Sequence, residues 1–330
     1  MNNKWIVVTT INSPQPAIHT ISKLCTSDGW RCVVVGDKKT PDKWHSDGVD
    51  YLSVDDQQRL FPTLSEVLPY NHYCRKNIGY LYAINNGAKF ILETDDDNIP
   101  LSKFGANLSR TIRGRLVGAS RWVNVYRYFT NHLIWPRGNP LNTIHDSGRY
   151  LGTTEVDCPI QQFLANGDPD VDAIYRFLYK DELYFEESVP VILQNGSWCS
   201  FNSQNTLFYS DFFAALYLPC HVSFRMTDIW RSFIAQSVLW SENKNLSFLP
   251  PTVKQIRNQH DLTQDFRDEI DGYLENSRIC RILEEESKNW KNDMTIGKKV
   301  YLAWTALHRE HIINDQELGI LDEWLKKVGE

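Results

Sequence analysis

The first hundred residues alternate short β-rich runs with segments of helical spacing, and this order limits the fold more than any other feature of the sequence. The β-rich runs are WIVVTT (5–10), CVVVG (32–36), YLSV (51–54) and FILET (90–94). The helical segments between them begin at Pro16 and near residue 76. Strands that alternate with helices predict parallel strands joined by crossover helices, as in an α/β domain.

After about residue 120 the pattern becomes mixed. We predict further strands at RWVNVY (121–126), PVILQ (190–194) and NTLFY (205–209), separated by long loops. Thr227 is the predicted N-cap of a helix with apolar residues at helical spacing. Beyond Asp261 only helical patterns follow. These patterns divide the 330 residues into a main domain at 1–260, with halves at 1–118 and 119–260, and a helical C-terminal extension at 261–330.

Charge and cysteine usage exclude several classes of protein. The 35 Lys and Arg against 41 Asp and Glu give a net charge of −6, which argues against a nucleic-acid partner. The seven cysteines contain no CxxC pair and suit a reduced interior. The apolar run at 5–8 is too short for a signal peptide, and that at 212–218 is too short to span a bilayer. We therefore expect a cytoplasmic protein and leave peripheral membrane association and the oligomeric state open.

Three consecutive carboxylates, Asp95, Asp96 and Asp97, directly follow the strand FILET. The carboxyl ends of parallel strands are where open α/β sheets bind ligands. Carboxylate oxygens there suit Mg²⁺ or Mn²⁺, which bridge to substrate phosphates through only one or two protein carboxylates. The alternative is a solvated acidic turn. The sequence has neither GxGxxG nor GxxxxGK[ST], so a bound phosphate must be held by other groups.

Four further residues have both a functional and a structural interpretation. Arg75 and Lys76, near a helix start, can neutralise a phosphate, or they are a solvated basic pair. His260 can join a metal site, although a lone His is more often structural. Asp228 can be a general base that deprotonates an alcohol acceptor, or a carboxylate favoured by the dipole in the first turn of a helix.

Nine strings in the chain resemble the STELLO family of glycosyltransferase-like proteins. The resemblance runs from about Trp5 to Trp290 and excludes the C-terminal 40 residues. The strings are WIVVTTINSP, VVVGDKKTP, LPYNHYCRKNIGYLYAI, GAKFILETDDDN, WPRGNPL, NGDPDVDAIYR, FNSQNTLF, TDIWRSFIAQSVLW and QIRNQHD. It implies a GT-A fold, a Rossmann-like mixed sheet flanked by helices, in which an Asp-x-Asp motif holds a divalent metal and a nucleotide-sugar.

Carried over by position, the resemblance implies a set of site residues. It places the metal and the nucleotide-sugar at Asp95, Asp96 and Asp97, and we expect Asp95 and Asp97 to bind the metal together with His260, the candidate ligand named above. The nucleotide-sugar contacts are Thr9, Thr10, Asn12, Asp37, Arg75, Lys76, Asn77, Asp95 and Asp96. The sugar and acceptor pockets fall to Arg137, Asp168, Asp170, Asp172, Asn202, Gln204 and Asn205.

We therefore expect a glycosyltransferase that uses Mn²⁺ or Mg²⁺ and moves a sugar from a nucleotide diphosphate, with UDP favoured, to a glycan or other alcohol. We expect inversion of the anomeric centre, with Asp228 as the base. Two alternatives stay open. A nucleotide-sugar mutase would convert a donor without an acceptor, and a degenerate, glycosyltransferase-like scaffold would not turn over.

Overall fold

A computed structural model describes residues 3–106, 108–256 and 261–329, and within these ranges eleven strands form one mixed sheet. The strands are β1 (Lys4–Thr9), β2 (Trp30–Val35), β3 (Asp50–Leu52), β4 (Phe90–Thr94), β5 (Asn98–Pro100), β6 (Thr111–Gly118), β7 (Arg149–Asp157), β8 (Ile160–Gly167), β9 (Val191–Leu193), β10 (Asn205–Tyr209) and β11 (Leu246–Gln255). Their order is β3-β2-β1-β4-β10-β8-β11-β9-β6-β7, and β5 pairs with β11.

The first half of the sheet is parallel, as the sequence predicts. Strands β3, β2, β1 and β4 pair in parallel, so their carboxyl ends lie at one edge. Strand β10 then pairs antiparallel to β4, with Asn205 opposite Thr94. The residues that precede β10 therefore lie beside those that follow β4. This reversal brings parts of both halves of the chain to one place, and the mixed α/β sheet confirms the expected GT-A-like class.

Nine helices cover the sheet within the described residues. They are α1 (Pro16–Ser27), α2 (Val54–Leu60), α3 (Pro62–Val67), α4 (Lys76–Asn85), α5 (Ala173–Leu178), α6 (Thr227–Ser241), α7 (Leu262–Ser287), α8 (Ile296–Arg309) and α9 (Asp315–Val328). None of these helices combines the length and apolar character needed to cross a membrane. Helix α6 is buried along almost its whole length, so it packs as a core element between the sheet and the later helices.

Two local predictions are wrong. Residues 121–126 form no strand: Trp122 makes one isolated bridge to Trp198, and Val125–Tyr128 is a 3₁₀ turn. β-branched and aromatic residues favour a strand only where a neighbouring strand is free to pair. Thr227 is the first residue of α6 rather than its cap, because a 3₁₀ turn at Phe224–Met226 runs directly into the helix.

The C-terminal helices share the core of the sheet. Leu283, Trp304 and Trp324 belong to the same apolar cluster as Trp5 of β1. The buried carboxylate of Glu317 accepts hydrogen bonds from the backbone N–H groups of residues 220 and 221. Burial of these large side chains is the main source of stability for this contact. The division of the chain at residue 260 stays a prediction.

A fully buried ion pair joins the strand that ends at the acidic triplet to helix α6. The guanidinium of Arg231 donates to both carboxylate oxygens of Glu93, at 2.9 and 2.7 Å. The hydroxyl of Tyr80 also donates to Glu93. Since Arg231 lies one helical turn after Asp228 and Glu93 lies two residues before Asp95, the pair fixes the two candidate site residues relative to each other.

Candidate active site

Two adjoining cavities lie at the carboxyl ends of β1, β2 and β4. We name them the β2-side cavity, of about 390 Å³, and the α6-side cavity, of about 250 Å³. Thr9, Tyr73, Asp96 and Phe224 line both of them. The β2-side cavity is further lined by Thr10, Ile11, Asn12, Val35, Gly36, Asp37, Asn71, His72 and Arg75. The α6-side cavity is further lined by Asp95, Asp97, Arg137, Asp170, Ser203, Gln204, Arg225, Asp228 and Gln255.

Asp96 lies at the junction of the two cavities and is held by neutral groups. One of its carboxylate oxygens, Oδ2, accepts from the Thr10 hydroxyl at 2.5 Å and from the Asn12 amide at 3.1 Å. Asp37, at the end of β2, accepts from the backbone N–H groups of residues 38 and 72. Neutral donors leave the negative charge of Asp96 without a directly paired cation, whereas Asp37 interacts electrostatically with the nearby Arg75 guanidinium.

Asp95 is neutralised by a buried lysine. The ammonium of Lys76 donates to Asp95 Oδ1 at 2.8 Å and to the backbone carbonyls of Thr94 and Ser203. Burial raises the pKa of Asp95 and Lys76 opposes that shift. Lys76 is itself fully buried, so the interpretation of residues 75 and 76 as a solvated basic pair is wrong. Lys76 ties the loop after β4 to the loop before β10.

The carboxylate donors at the junction fit a hard divalent cation. Asp96 and Asp97 line the same cavity, and Asp97 Oδ2 accepts from the Gln255 amide at 3.2 Å. Within the described ranges, no group of three or more His, Cys, Asp or Glu side chains is arranged to hold a metal. Mg²⁺ and Mn²⁺ need fewer, because water and substrate phosphates complete their ligand shells. His260, the predicted third ligand, lies outside the described residues.

Arg137 is the central cation of the α6-side cavity. It forms a two-pronged ion pair with Asp170, at 2.8 and 2.7 Å, and its Nη2 also lies 3.1 and 3.2 Å from the two oxygens of Asp228. The next residue, Gly138, has φ +99°, and a Cβ there would come within 2.5 Å of Ile229 on α6. Glycine at this position therefore lets the Arg137 loop lie directly against α6.

Asp228 is buried and fully engaged. Besides Arg137, it accepts from the Ser203 backbone N–H at 3.0 Å and from the Tyr73 hydroxyl at 3.1 Å. Burial alone would raise its pKa, but Arg137 and the Ser203 N–H lower it to about 2. At neutral pH this carboxylate is ionised and has a low affinity for a proton.

Two of the predicted nucleotide-sugar contacts, Arg75 and Asn77, make hydrogen bonds within the fold. The guanidinium of Arg75 donates to the Gln57 carboxamide, the Ser65 hydroxyl and the Leu68 carbonyl, although it also lines the β2-side cavity. The amide of Asn77 bonds in both directions to the backbone of Leu218, and Asn77 is not among the residues that line either cavity.

Four of the residues assigned to the sugar and acceptor pockets lie outside the α6-side cavity. Asp172 caps α5 and accepts from the Trp135 indole at 2.6 Å, and burial raises its pKa to about 6. Asp168 pairs with Arg176 and lines a separate groove. Asn202 accepts from the Gln204 backbone, and Asn205 is fully buried within β10. Arg137, Asp170 and Gln204 do line the α6-side cavity.

The sequence interpretation missed an aromatic group and a cation. His72 and Tyr73 stack at 13° between their ring planes, and both contact the Phe224 ring edge to face. Arg225 lies beside them and pairs with buried Glu269 at 2.9 Å. Their strings, NHYCRK and SFRMTD, include or adjoin residues that the sequence had already indicated as candidates. The two strings are separated by about 150 residues, and nothing in either one shows that they lie on two sides of one cleft.

Comparison with known proteins links this cleft to one family. The model of the STELLO glycosyltransferases matches residues 225–328. The chain is 32% identical over 305 residues to "Probable glycosyltransferase STELLO2" of Arabidopsis thaliana, covering 85% of this chain and 39% of that protein. It is 29% identical to "Probable glycosyltransferase STELLO1" of the same plant, covering 98% of this chain and 44% of that protein. The chain thus spans less than half the length of these relatives.

These matches confirm the family resemblance and correct its extent. The family model reaches residue 328, whereas the sequence interpretation ended the resemblance near Trp290. Helices α8 and α9 therefore belong to the region that the family shares. The matched range also joins α6 and β11 of the main sheet to the C-terminal helices in one continuous segment.

Proposed function

We propose that this chain, a member of the STELLO family of glycosyltransferases, transfers a sugar from a nucleotide diphosphate donor to a hydroxyl group of an acceptor. The observation that carries the proposal is the pair of cavities that meet at Asp96. The β2-side cavity, about 390 Å³, has room for a nucleoside, and the α6-side cavity, about 250 Å³, has room for one sugar ring. A diphosphate that links the two groups would pass beside the acidic triplet.

The donor proposed here is a UDP-sugar, and a divalent cation accompanies it. Asp96 and Asp97 would hold Mn²⁺ or Mg²⁺, with Asp95 set back by its pairing with Lys76. When bound, the ion would neutralise charge that develops on the leaving diphosphate. In the transfer, the bond between the anomeric carbon and the phosphate oxygen breaks and its electron pair leaves with the nucleotide diphosphate. The acceptor oxygen bonds to that carbon, and the proton of the acceptor hydroxyl passes to water.

The contacts of Asp228 support a positioning role more strongly than a role as the base. A general base works best with a pKa near the operating pH, whereas that of Asp228 is about 2. Its partners Arg137, Ser203 and Tyr73 all line the α6-side cavity or adjoin it, and the carboxylate fixes their positions at the cavity wall. Inversion with Asp228 as the base stays a prediction.

The test of the function measures two quantities on one protein preparation. Calorimetry with UDP, in Mn²⁺ and in EDTA, reports whether nucleotide binding depends on the metal. A screen of UDP-sugars against a mixture of neutral oligosaccharide acceptors reports release of UDP. We expect tighter binding in Mn²⁺ and release that needs an acceptor. Equal binding in Mn²⁺ and EDTA would show that nucleotide binding does not need a metal. Product formed without an acceptor would indicate a mutase.

Asp228→Asn separates the two roles of this carboxylate. Loss of a general base lowers turnover by ~10²- to 10⁴-fold and leaves donor affinity unchanged. Loss of a positioning carboxylate weakens donor binding as well, and this is the result we expect. Ser232→Ala is the matched control, because Ser232 lies one turn further along α6 and its hydroxyl bonds only to a backbone carbonyl of its own helix. Full activity in Asp228→Asn would exclude both roles.

A further inference from the structure

A third cavity, of about 470 Å³, begins where the α6-side cavity ends. We name it the α5 groove, since residues of α5 and of the segments on either side of it form most of its wall. Gln255 lines both the α6-side cavity and the α5 groove. Its amide contacts Asp97, and Gln204 donates to its carbonyl at 2.5 Å. The groove therefore opens directly beside the acidic triplet.

One wall of the groove offers an aromatic platform. The rings of Tyr175 and Tyr179 lie 4.8 Å apart at 36°, and Trp135 supports Tyr175 from below in an edge-to-face contact. Tyr175 is buried, whereas Tyr179 is 44% exposed. Tyr179 therefore presents part of its ring to the groove, and Tyr175 holds that ring in place. Its negatively polarised face suits the C–H bonds on the flat side of a sugar ring.

The charges of the groove do not favour an acidic ligand. Its lining contains three carboxylates, on Asp168, Asp181 and Glu182, and two cations, on Arg176 and Lys180. Arg176 is engaged by Asp168 and by the Pro169 carbonyl. Glu182 is paired with Lys254 and accepts from the Tyr184 hydroxyl. The groove therefore has no excess of positive charge to attract an acidic ligand, and the Asp181 carboxylate offers hydrogen-bond acceptors that match the hydroxyl groups of a neutral glycan.

We propose that the α5 groove binds the acceptor, a neutral oligosaccharide, with one sugar ring stacked on Tyr179 and the reactive end directed past Gln255 into the α6-side cavity. The proposal rests on the proposed function, because it takes the α6-side cavity to hold the donor sugar. It separates the acceptor site from the donor site, so substitution of Tyr179 affects one and leaves the other intact.

The experiment uses the full chain on an array of neutral, uronic acid-containing and phosphorylated oligosaccharides, with UDP binding measured by calorimetry on the same preparation. We expect binding to neutral members of the array. Tyr179→Ala lowers that binding by about tenfold, and Tyr179→Trp retains it, because a larger ring keeps the platform. Tyr150→Ala is the control, since Tyr150 is an exposed tyrosine on β7 that does not line the groove.

Four results would overturn the proposal. These are binding to no member of the array, preference for acidic members, unchanged binding in Tyr179→Ala, and an equal loss in Tyr150→Ala. Calorimetry distinguishes this failure from failure of the proposed function. If the chain binds UDP but no neutral glycan, only the proposal of an acceptor groove is wrong. If it binds neutral glycans through Tyr179 but no nucleotide, the proposed transferase function is wrong.

Discussion

The two cavities of the cleft hold their carboxylates in different ways. In the β2-side cavity, Asp96 and Asp37 accept from hydroxyl, amide and backbone N–H groups, all neutral. In the α6-side cavity, Asp170 and Asp228 share one guanidinium, that of Arg137. Both arrangements satisfy the hydrogen-bonding capacity of the carboxylates. Only the second one pairs the carboxylates directly with a cation.

This difference assigns distinct tasks to the two ends. A carboxylate held by neutral donors keeps a negative charge that a cation can neutralise, and this is why the proposed metal would be held at Asp96. A carboxylate paired with arginine has little charge to offer, and its geometry is fixed by the pairing. The α6-side end is therefore suited to recognition of uncharged hydroxyl groups, which is what a sugar presents.

The largest expected effect follows from removal of the shared cation. Arg137→Met leaves two buried carboxylates without the cation that they share, although Arg225 still lies 3.9 Å from Asp170. Breaking buried pairs of this kind costs roughly 3–5 kcal/mol of unfolding free energy. Urea unfolding at pH 7 measures the loss. The triple variant Arg137→Met, Asp170→Asn, Asp228→Asn is the control and should recover part of it, because it removes the unpaired charges. A loss below about 1 kcal/mol in Arg137→Met would show that the guanidinium contributes little to the stability of the two buried carboxylates.

Asp96→Asn tests the opposite end. The amide keeps an acceptor for Thr10 or Asn12 but carries no charge, so the fold should be nearly as stable as the parent. The stabilisation by UDP with Mn²⁺, ~2.7 kcal/mol at a ligand concentration 100-fold above Kd, should be lost. Thermal unfolding with and without UDP and Mn²⁺ measures both quantities. If Asp96→Asn unfolds as readily as Arg137→Met, the contrast between the two ends fails.

A smaller effect is expected from His72, which lines the β2-side cavity. Burial lowers its pKa from 6.5 to about 4. Between these two values the unfolded chain binds more protons, so this contribution to stability is complete above pH 6.5 and is lost as the pH falls toward 4. From pH 6.5 to 5 the loss attributable to His72 is about 1.5 kcal/mol.

The variant His72→Asn isolates the pH-dependent contribution of His72 to stability. Asparagine can accept from the Cys74 N–H as the imidazole does, yet it does not titrate. Urea unfolding at several pH values should show a shallower acid slope in the variant than in the parent. Parallel slopes would mean that His72 is accessible enough to protonate in the folded chain.

Much of the cleft's position could be predicted from the sequence. Periodicity identified β1, β2 and β4, and the strand that ends in Asp95 to Asp97 could be placed at a ligand-binding edge because parallel strands align their carboxyl ends. The predicted strand at 121–126 failed because its composition suits a strand equally well whether or not a partner strand is present. A local sequence pattern indicates the conformation that a segment prefers, but not which other segments lie beside it in the fold.

Arg75 and Lys76 show the limit at the scale of single residues. They are adjacent and similar in charge, yet Lys76 reaches Asp95 whereas Arg75 is enclosed by Gln57, Ser65 and Leu68. Their positions at the start of α4 direct the two side chains to different surroundings. Whether Arg75 or Lys76 reaches the acidic triplet depends on which segments pack around the start of α4.

The sequence by itself determined the parallel half of the sheet and the acidic triplet at its edge, because both follow from local alternation and a general rule of strand direction. Only the tertiary structure decided that Arg137, Asp170 and Asp228, separated by 33 and 58 residues along the chain, form one ion-paired group. The physical reason is that an ion pair is set by distance and burial. Both arise only when separate segments pack together, so neither can be seen in the segments alone.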